Sequence, residues 1–296
     1  VWNSNPGLSG ALTLWRPFDD VAAMSDYDES TYGERIADIY DELHGFLETT
    51  EAAADFLAGI AGRRRALELG IGTGRVALGL VGRGIRVCGI DASPAMVEKL
   101  RAKPGGDTIP VTIGDFADVK VSGQFSLIFV VFNTFFGLLS QESQIKCFER
   151  VARHLTDDGA FVIEAFVPDP SMFRRGQIVE AKHVDATTAN LHAAVHDPVA
   201  QQVHSANILL SETGTRFYPI QIRYAWPAEL DLMARIAGMH LRERFGGWKR
   251  EPFNKSSGIH VSVYEKILAA APAPEPPARA RTRPVKPARV KRGRGA

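Results

Sequence analysis

The residues best equipped for chemistry fall in two short stretches. In the first, Glu68 is followed by glycines at alternate positions, Gly70, Gly72 and Gly74, and then by Arg75. In the second, Asp91 closes an apolar run and leads into Ala92, Ser93 and Met96. Glycine lacks a Cβ, so a turn built from it reaches positive φ and lets a ligand approach the main chain. A helix beginning just behind such a turn presents unpaired N–H groups. A carboxylate at the end of the next strand can accept hydrogen bonds from both hydroxyls of a ribose. Glycine turn and acid together are therefore the equipment of a nucleoside site. The glycine spacing narrows the choice of nucleoside. A pyrophosphate-binding turn places its third glycine three residues after the second, whereas here the glycines recur every second residue. Glu68 also sets a negative charge beside the loop, which is unfavourable for pyrophosphate and favourable for a cation.

Positioning these groups requires an alternation of strand and helix. Residues 66–69, apolar apart from Glu68, read as a strand. Val76, Leu78, Leu80 and Val81 give the helix after the turn, residues 85–90 a second strand, and Ser93-Pro94 the start of another helix. Further strands are expected at 109–113, 125–131 and 160–166, with an amphipathic helix at 141–155 between the last two. The nearly unbroken apolar run at 125–131 suits a central parallel strand covered on both faces. Upstream, helices are expected over 32–47 and 50–60. From 167 to 223 the texture changes to alternating runs at 178–183, 190–196, 203–210 and 216–224 separated by turn residues, the pattern of an antiparallel meander. A helix at 227–238 and strands at 239–245 and 258–267 complete the sheet.

The stretch Glu68-Leu69-Gly70-Ile71-Gly72-Thr73-Gly74-Arg75 resembles motif I of the class I S-adenosylmethionine-dependent methyltransferases, and Gly89-Ile90-Asp91-Ala92-Ser93-Pro94-Ala95-Met96 resembles their second motif. The resemblance implies an α/β fold, a Rossmann-like seven-stranded sheet with one antiparallel final strand, and an inserted antiparallel β cap of the kind found in methyltransferases of amino sugars and similar metabolites. It divides the chain into an N-terminal arm (1–23), a cofactor-binding core (24–166), the substrate cap (167–225), the end of the core (226–268) and a basic tail (269–296). The cofactor would be S-adenosyl-L-methionine, held by Glu68, Gly70, Gly72, Gly74, Arg75, Asp91, Ala92, Ser93 and Met96. Tyr40 belongs to a lid over it, and Asp115 and Phe116 lie at the adenine. Asn133 and Thr134 occupy the fourth motif, which borders cofactor and acceptor. Many relatives carry an acid, histidine or tyrosine near there; this chain does not, so the motif offers no general base. Tyr224 and Trp248 are candidates to line the acceptor pocket with Asn133 and Thr134. The implied reaction is in-line methyl transfer to N or O of a small metabolite, and an uncharged amine needs no base before attack. Two other readings remain open at this point: an RNA methyltransferase anchored by the tail, and an NAD(P)-dependent oxidoreductase, which the glycine spacing and Glu68 oppose.

Composition bounds the rest. The chain has 296 residues, 45% of them hydrophobic, enough for one large core and a subdomain. No apolar run approaches the roughly eighteen residues a membrane span needs, and no secretory leader is evident. Cys88 and Cys147 form no framework, consistent with a cytoplasmic enzyme. His183, His192, His196 and His204 sit on separate strands without cysteine nearby, so no metal is expected. The net charge of +1 conceals a tail carrying eight Lys or Arg against one Glu, which leaves the body at −6. Nucleic acid or an acidic partner is thus expected only through the tail, whose six prolines and lack of large apolar groups oppose a packed structure.

Overall fold

The computed structural model describes residues 27–44 and 48–268. The arm expected at 1–23 and the tail expected at 269–296 lie outside these residues. The described chain opens with α1 (Thr31–Ile36), α2 (Tyr40–His44) and α3 (Glu48–Ala61), then alternates β1 (Arg65–Leu69), α4 (Arg75–Gly82), β2 (Arg86–Asp91), α5 (Pro94–Arg101), β3 (Val111–Ile113), β4 (Phe125–Val130), α6 (Gln141–His154) and β5 (Leu155–Phe166). Four long strands follow, β6 (Gln177–Val184), β7 (Thr188–Asp197), β8 (Gln202–Ser211) and β9 (Gly214–Arg223). The chain then closes with α7 (Pro227–Ile236), β10 (Met239–Phe245) and β11 (Ile259–Lys266).

The main sheet has seven strands in the order β10-β11-β5-β4-β1-β2-β3. Only β11 runs against its neighbours, pairing antiparallel with both β5 and β10. Strand β4 is buried along its whole length, which its unbroken apolar sequence anticipates. Helices α3 and α4 cover one face through Phe56, Leu57, Val76 and Leu80. Helices α6 and α7 cover the other through Phe148, Val151, Leu230 and Met233. The strand order reverses between β1 and β4, and a crevice outside the carboxyl ends of the strands at such a reversal is the ligand site of open α/β sheets.

Strands β6 to β9 form a separate four-stranded antiparallel sheet between β5 and α7. Its root is tied to the core by a buried network. Arg223 donates to Glu229 Oε1 at 2.7 Å and to Gln144 Oε1 at 2.6 Å, while Gln144 donates to the Leu138 and Arg223 carbonyls.

Two elements differ from their expected form. The helix expected over 32–47 breaks at 37–39 into α1 and α2. The break lets Asp38 pair with Lys99 at 2.8 Å and Asp41 with Lys103 at 2.7 Å, so both acids are drawn toward the α5 side. Strand β5 begins at Leu155, directly after α6, with a register irregularity before Ala160. Asp157-Asp158-Gly159, expected as a turn, is carried inside the strand.

Candidate active site

The site is built at the carboxyl ends of β1, β2, β4 and β5. After β1 the chain turns on Gly70, at φ +71°, where a Cβ would lie 2.4 Å from the Thr134 methyl. Only glycine allows that approach, and it brings the fourth-motif segment against the first. Helix α4 starts immediately after Gly74 and points its first turn toward the turn's concave side. Asp91, the last residue of β2, accepts from Gly72 N at 2.6 Å with one oxygen and from Ser93 N at 2.9 Å with the other. Burial raises its pKa, and these two N–H groups pull it back. Ser93 caps α5 by accepting from Met96 N at 3.2 Å, as the Ser-Pro pair foretold.

Glu68 is 3% exposed and its Oε2 has no hydrogen-bond partner among the described residues. Burial, and next the charge of Asp91, hold its pKa well above the usual carboxylate range, against the opposing pull of Arg75. An unpaired carboxylate oxygen in such a place is costly unless a donor or cation meets it. The ammonium end of S-adenosylmethionine has that chemistry, and Asp91, whose carboxylate has the chemistry to accept from ribose hydroxyls, stands with the glycine turn beside it. The residues present therefore fit that cofactor.

The N-terminal helices close over this cradle. Glu34 Oε1 accepts from Ser93 Oγ at 2.7 Å and from Ala95 N at 3.0 Å. Asp41 accepts from Thr73 Oγ1 at 2.7 Å, and Lys103 donates to the Thr73 carbonyl. Arg75 donates to the His44 carbonyl at 2.7 Å and lies over the Phe132 ring, 3.7 Å from its centroid. Burial pushes the Tyr40 hydroxyl up in pKa, and Glu68 and Asp91 are among the charges it feels. Tyr40 is thus brought to the acids. Tyr32 is half-buried beside it and feels Tyr40, Tyr27 and Arg75. Met96 packs with Ile36, Ala37 and Tyr218, joining the lid to the four-stranded sheet.

The other sequence candidates have definite places. Phe116 lies beside the glycine turn, its ring edge 3.9 Å from a Cβ built on Gly70. Asp115 accepts from Ala117 N at 2.8 Å in a local turn, and Ala92 follows Asp91 on the way to α5. Thr134 is the group that Gly70 admits. The Asn133 amide is not free to meet a ligand through its oxygen, which accepts from Phe166 N at 2.7 Å. Tyr224 is buried in the seam under the four-stranded sheet, its hydroxyl 2.9 Å from His196 Nε2. Trp248 is packed edge-on against Phe56 of α3, with ring centroids 5.5 Å apart. These two aromatics are packing groups rather than exposed pocket walls. Among the described residues no cluster of side chains could hold a metal ion.

Several site residues escaped the sequence reading: Glu34, Asp41, Lys103, Tyr32 and Glu164. For Glu164 there was a signal, an ionisable residue inside the apolar run 160–166. For Glu34 and Asp41 there was none, because their partners lie on α5 and the glycine turn.

A doubly wound sheet with a glycine turn, a strand-ending acid and an unpaired buried carboxylate at its switch point has the equipment of a nucleoside-binding enzyme core. Comparison with known proteins specifies it. A methyltransferase domain model matches residues 66–159. The cypemycin N-terminal methyltransferase of a Streptomyces species is 29% identical over 250 residues, covering 81% of this chain and 99% of that protein. The structure of the CcbJ methyltransferase from Streptomyces caelestis is similar with a TM-score of 0.77 and 41% identity, over 82% of this chain and 100% of that one. An amino pentose methyltransferase from Micromonospora echinaspora shares the fold, with a TM-score of 0.58 at 19% identity, over 76% of this chain and 96% of that one. The chain belongs to the class I S-adenosylmethionine-dependent methyltransferases.

Proposed function

We propose that this enzyme methylates an amine nitrogen of a polar, hydroxyl-bearing small molecule. The observation that carries the reading is a row of hydrogen-bonding side chains across the inner face of the four-stranded sheet. The registers place Glu180, His192, Asn207 and Tyr218 side by side on β6 to β9. Alternation along the strands puts them on the face whose Ala194 and Val203 meet the core and whose Leu209 and Tyr218 meet the lid. His192 Nδ1 and the neighbouring Asn190 Oδ1 are buried without a partner among the described residues. Burial holds the His192 imidazole below its usual pKa, hence neutral near pH 7. An amide oxygen that accepts and an imidazole nitrogen that donates or accepts according to its tautomer suit a ligand rich in hydroxyl groups, which do both.

S-Adenosylmethionine supplies an already activated methyl group when bound. Asp91 and Glu68 are placed to hold its ribose and its ammonium end. Tyr40 and the clasps at Glu34 and Asp41 keep the lid shut over them and exclude water. What remains for the chain is alignment of the acceptor, an effect worth up to about 7 to 11 kcal/mol. An amine that arrives uncharged attacks without prior deprotonation, which agrees with an Asn133 oxygen already committed to Phe166 and a Tyr224 hydroxyl committed to His196. The names of two relatives, an N-terminal methyltransferase and an amino pentose methyltransferase, support an amine-bearing acceptor.

The test offers the full-length protein S-adenosylmethionine with methyl 3-amino-3-deoxy-glucopyranoside, its 3-hydroxy counterpart, an alanine-terminated peptide and total RNA. S-Adenosylhomocysteine formation and product mass are then followed. The expected result is one or more methyl groups on an amine probe and none on the alcohol. Methylation confined to the alcohol or to RNA would overturn the reading.

A further inference from the structure

We propose that Glu164 is a positioning residue for methyl transfer, acting through Phe132. The proposal rests on the methyltransferase reading but not on the identity of the acceptor. Phe132 and Asn133, the two residues that leave β4 at the cleft, have φ of 55° and 65°. Two consecutive side-chain-bearing residues in the left-handed region persist only where their surroundings over-determine them, and such strain gathers at functional sites. Here the end of β5 supplies the restraint. Phe132 N donates to Glu164 Oε2 at 2.5 Å, Asn133 N donates to the Glu164 carbonyl at 3.3 Å, and Phe166 N donates to Asn133 Oδ1 at 2.7 Å.

Glu164 is 6% exposed, in a strand whose neighbouring residues are apolar and fully buried. A carboxylate there has no packing advantage over a valine or leucine, and its desolvation must be offset. What it provides is an acceptor aimed at an N–H that the left-handed turn leaves outside the strand ladder. The outcome is the placement of the Phe132 ring. That ring is fixed from its backbone by Glu164 and covered on one face by the Arg75 guanidinium, 3.7 Å away. Arg75 in turn holds the His44 carbonyl at the end of α2. Glu164, Phe132 and Arg75 thus form one continuous contact path from the end of β5 to the lid. Glu68 and Glu164 both feel the Arg75 charge, which places this path beside the cofactor acids. The Phe132 ring is therefore a wall of the transfer site, and Glu164 sets where that wall stands.

The test compares Glu164→Ala, Glu164→Gln, Phe132→Ala and the Glu164→Ala/Phe132→Ala double variant in the full-length protein. Donor affinity is measured calorimetrically with S-adenosylmethionine, and kcat and KM with whichever amine probe is methylated. Amide exchange over residues 131–137 is measured by mass spectrometry. Glu164→Ala is expected to keep donor affinity within about threefold while kcat falls about thirtyfold or more and exchange over 131–137 rises. Glu164→Gln, whose amide oxygen can still accept from Phe132 N, should rescue most of that loss and restore the protection. The double variant should be no worse than Phe132→Ala, because a residue acting through the ring has nothing left to position. Equal inactivation by Gln and Ala, or losses that multiply in the double variant, would overturn the proposal. So would a fall in donor affinity parallel to the fall in kcat. If neither amine probe is methylated, the N-methylation reading fails by itself. The clamp is then decided by the exchange pattern: protection kept in Glu164→Gln and lost in Glu164→Ala supports it, and unchanged protection in both overturns it.

Discussion

At the scale of single residues, the site is governed by two acids held in places that disfavour their charge. Asp91 offsets the penalty with the Gly72 and Ser93 N–H groups, whereas Glu68 Oε2 has no such partner. This difference sets their responses to substitution and to pH. Removing Asp91 unties the turn, and if its carboxylate holds the ribose it removes that contact as well, so Asp91→Ala should weaken S-adenosylmethionine binding by about 100-fold or more, with Asp91→Asn intermediate. Calorimetry on protein shown to be folded by circular dichroism checks this. For Glu68 the prediction concerns protons. Its free-state pKa stands well above 4.5, and a bound cation favours the ionised form, so binding releases a proton and affinity rises with pH until the free carboxyl is ionised. Calorimetric titrations in buffers of different ionisation enthalpy should show this release, and Glu68→Gln should abolish it. Equal proton release in that variant would count against the assignment. Glu68 and Asp91 were legible because a strand-ending acid beside a glycine turn is a local pattern. Glu164 showed only as an ionisable residue inside the apolar run 160–166, and its role was not legible, since its partner Phe132 lies 32 positions away, beyond the end of β4.

At the scale of elements, the lid and the four-stranded sheet make one roof. Helix α1 fits against α5 because Gly33 carries no side chain: a Cβ there would stand 2.5 Å from that of Ser93. The same helix meets the sheet through Ile36 and Tyr218, and Tyr27 accepts from Gln221 N at 3.2 Å through its hydroxyl. The strands of the meander were readable to within a few residues from alternation alone. Which of their faces looks inward was not, because both faces mix apolar and polar residues, with Val179 and Phe217 exposed on the outer one. The helix break at 37–39 was hidden for a similar reason: Ile36, Ile39, Tyr40 and Leu43 keep helical spacing across it, and the partners of Asp38 and Asp41, Lys99 on α5 and Lys103 just beyond its end, are distant in sequence. If the inner row binds the acceptor, His192→Ala should raise KM for the amino-sugar probe by about tenfold while leaving S-adenosylmethionine affinity unchanged. A matching loss of donor affinity would show instead that the row only supports the fold.

At the scale of the whole molecule, the crossovers and the β4 run made the sheet readable, while the buried polar groups that tie its far edge together were not. Arg244 bridges Ser262, Asp231 and Tyr264 there, and His260 stands inside the same network. His260 is fully buried, with Nδ1 2.9 Å from Ser262 Oγ and Nε2 without a partner among the described residues. Burial, with Arg244 adding to it, holds its pKa down to about 3, against 6.5 ordinarily. The sign follows directly. Below pH 6.5 the unfolded chain takes up a proton at this residue and the folded chain does not, so acid favours unfolding. The contribution is intact above pH 6.5 and declines steadily as pH falls toward 3, by an amount on the order of 4 kcal/mol over the full range. Most carboxylates add their acid sensitivity below their unfolded values near 4, while Glu68, Asp91 and Glu164, whose folded-state pKa values are raised, take up protons earlier in the folded chain and act in the opposite direction between pH 6.5 and 4.5. Buried His192 and His196, also held below their usual values, share that interval. The discriminating comparison is therefore a single substitution that keeps an amide in place of the ring. Urea unfolding of His260→Gln should start less stable than the parent at pH 7, yet lose less stability on going to pH 4.5, so that the two curves converge. Curves that stay parallel across the interval would show that the buried ring takes up its proton as readily in the folded state as in the unfolded one.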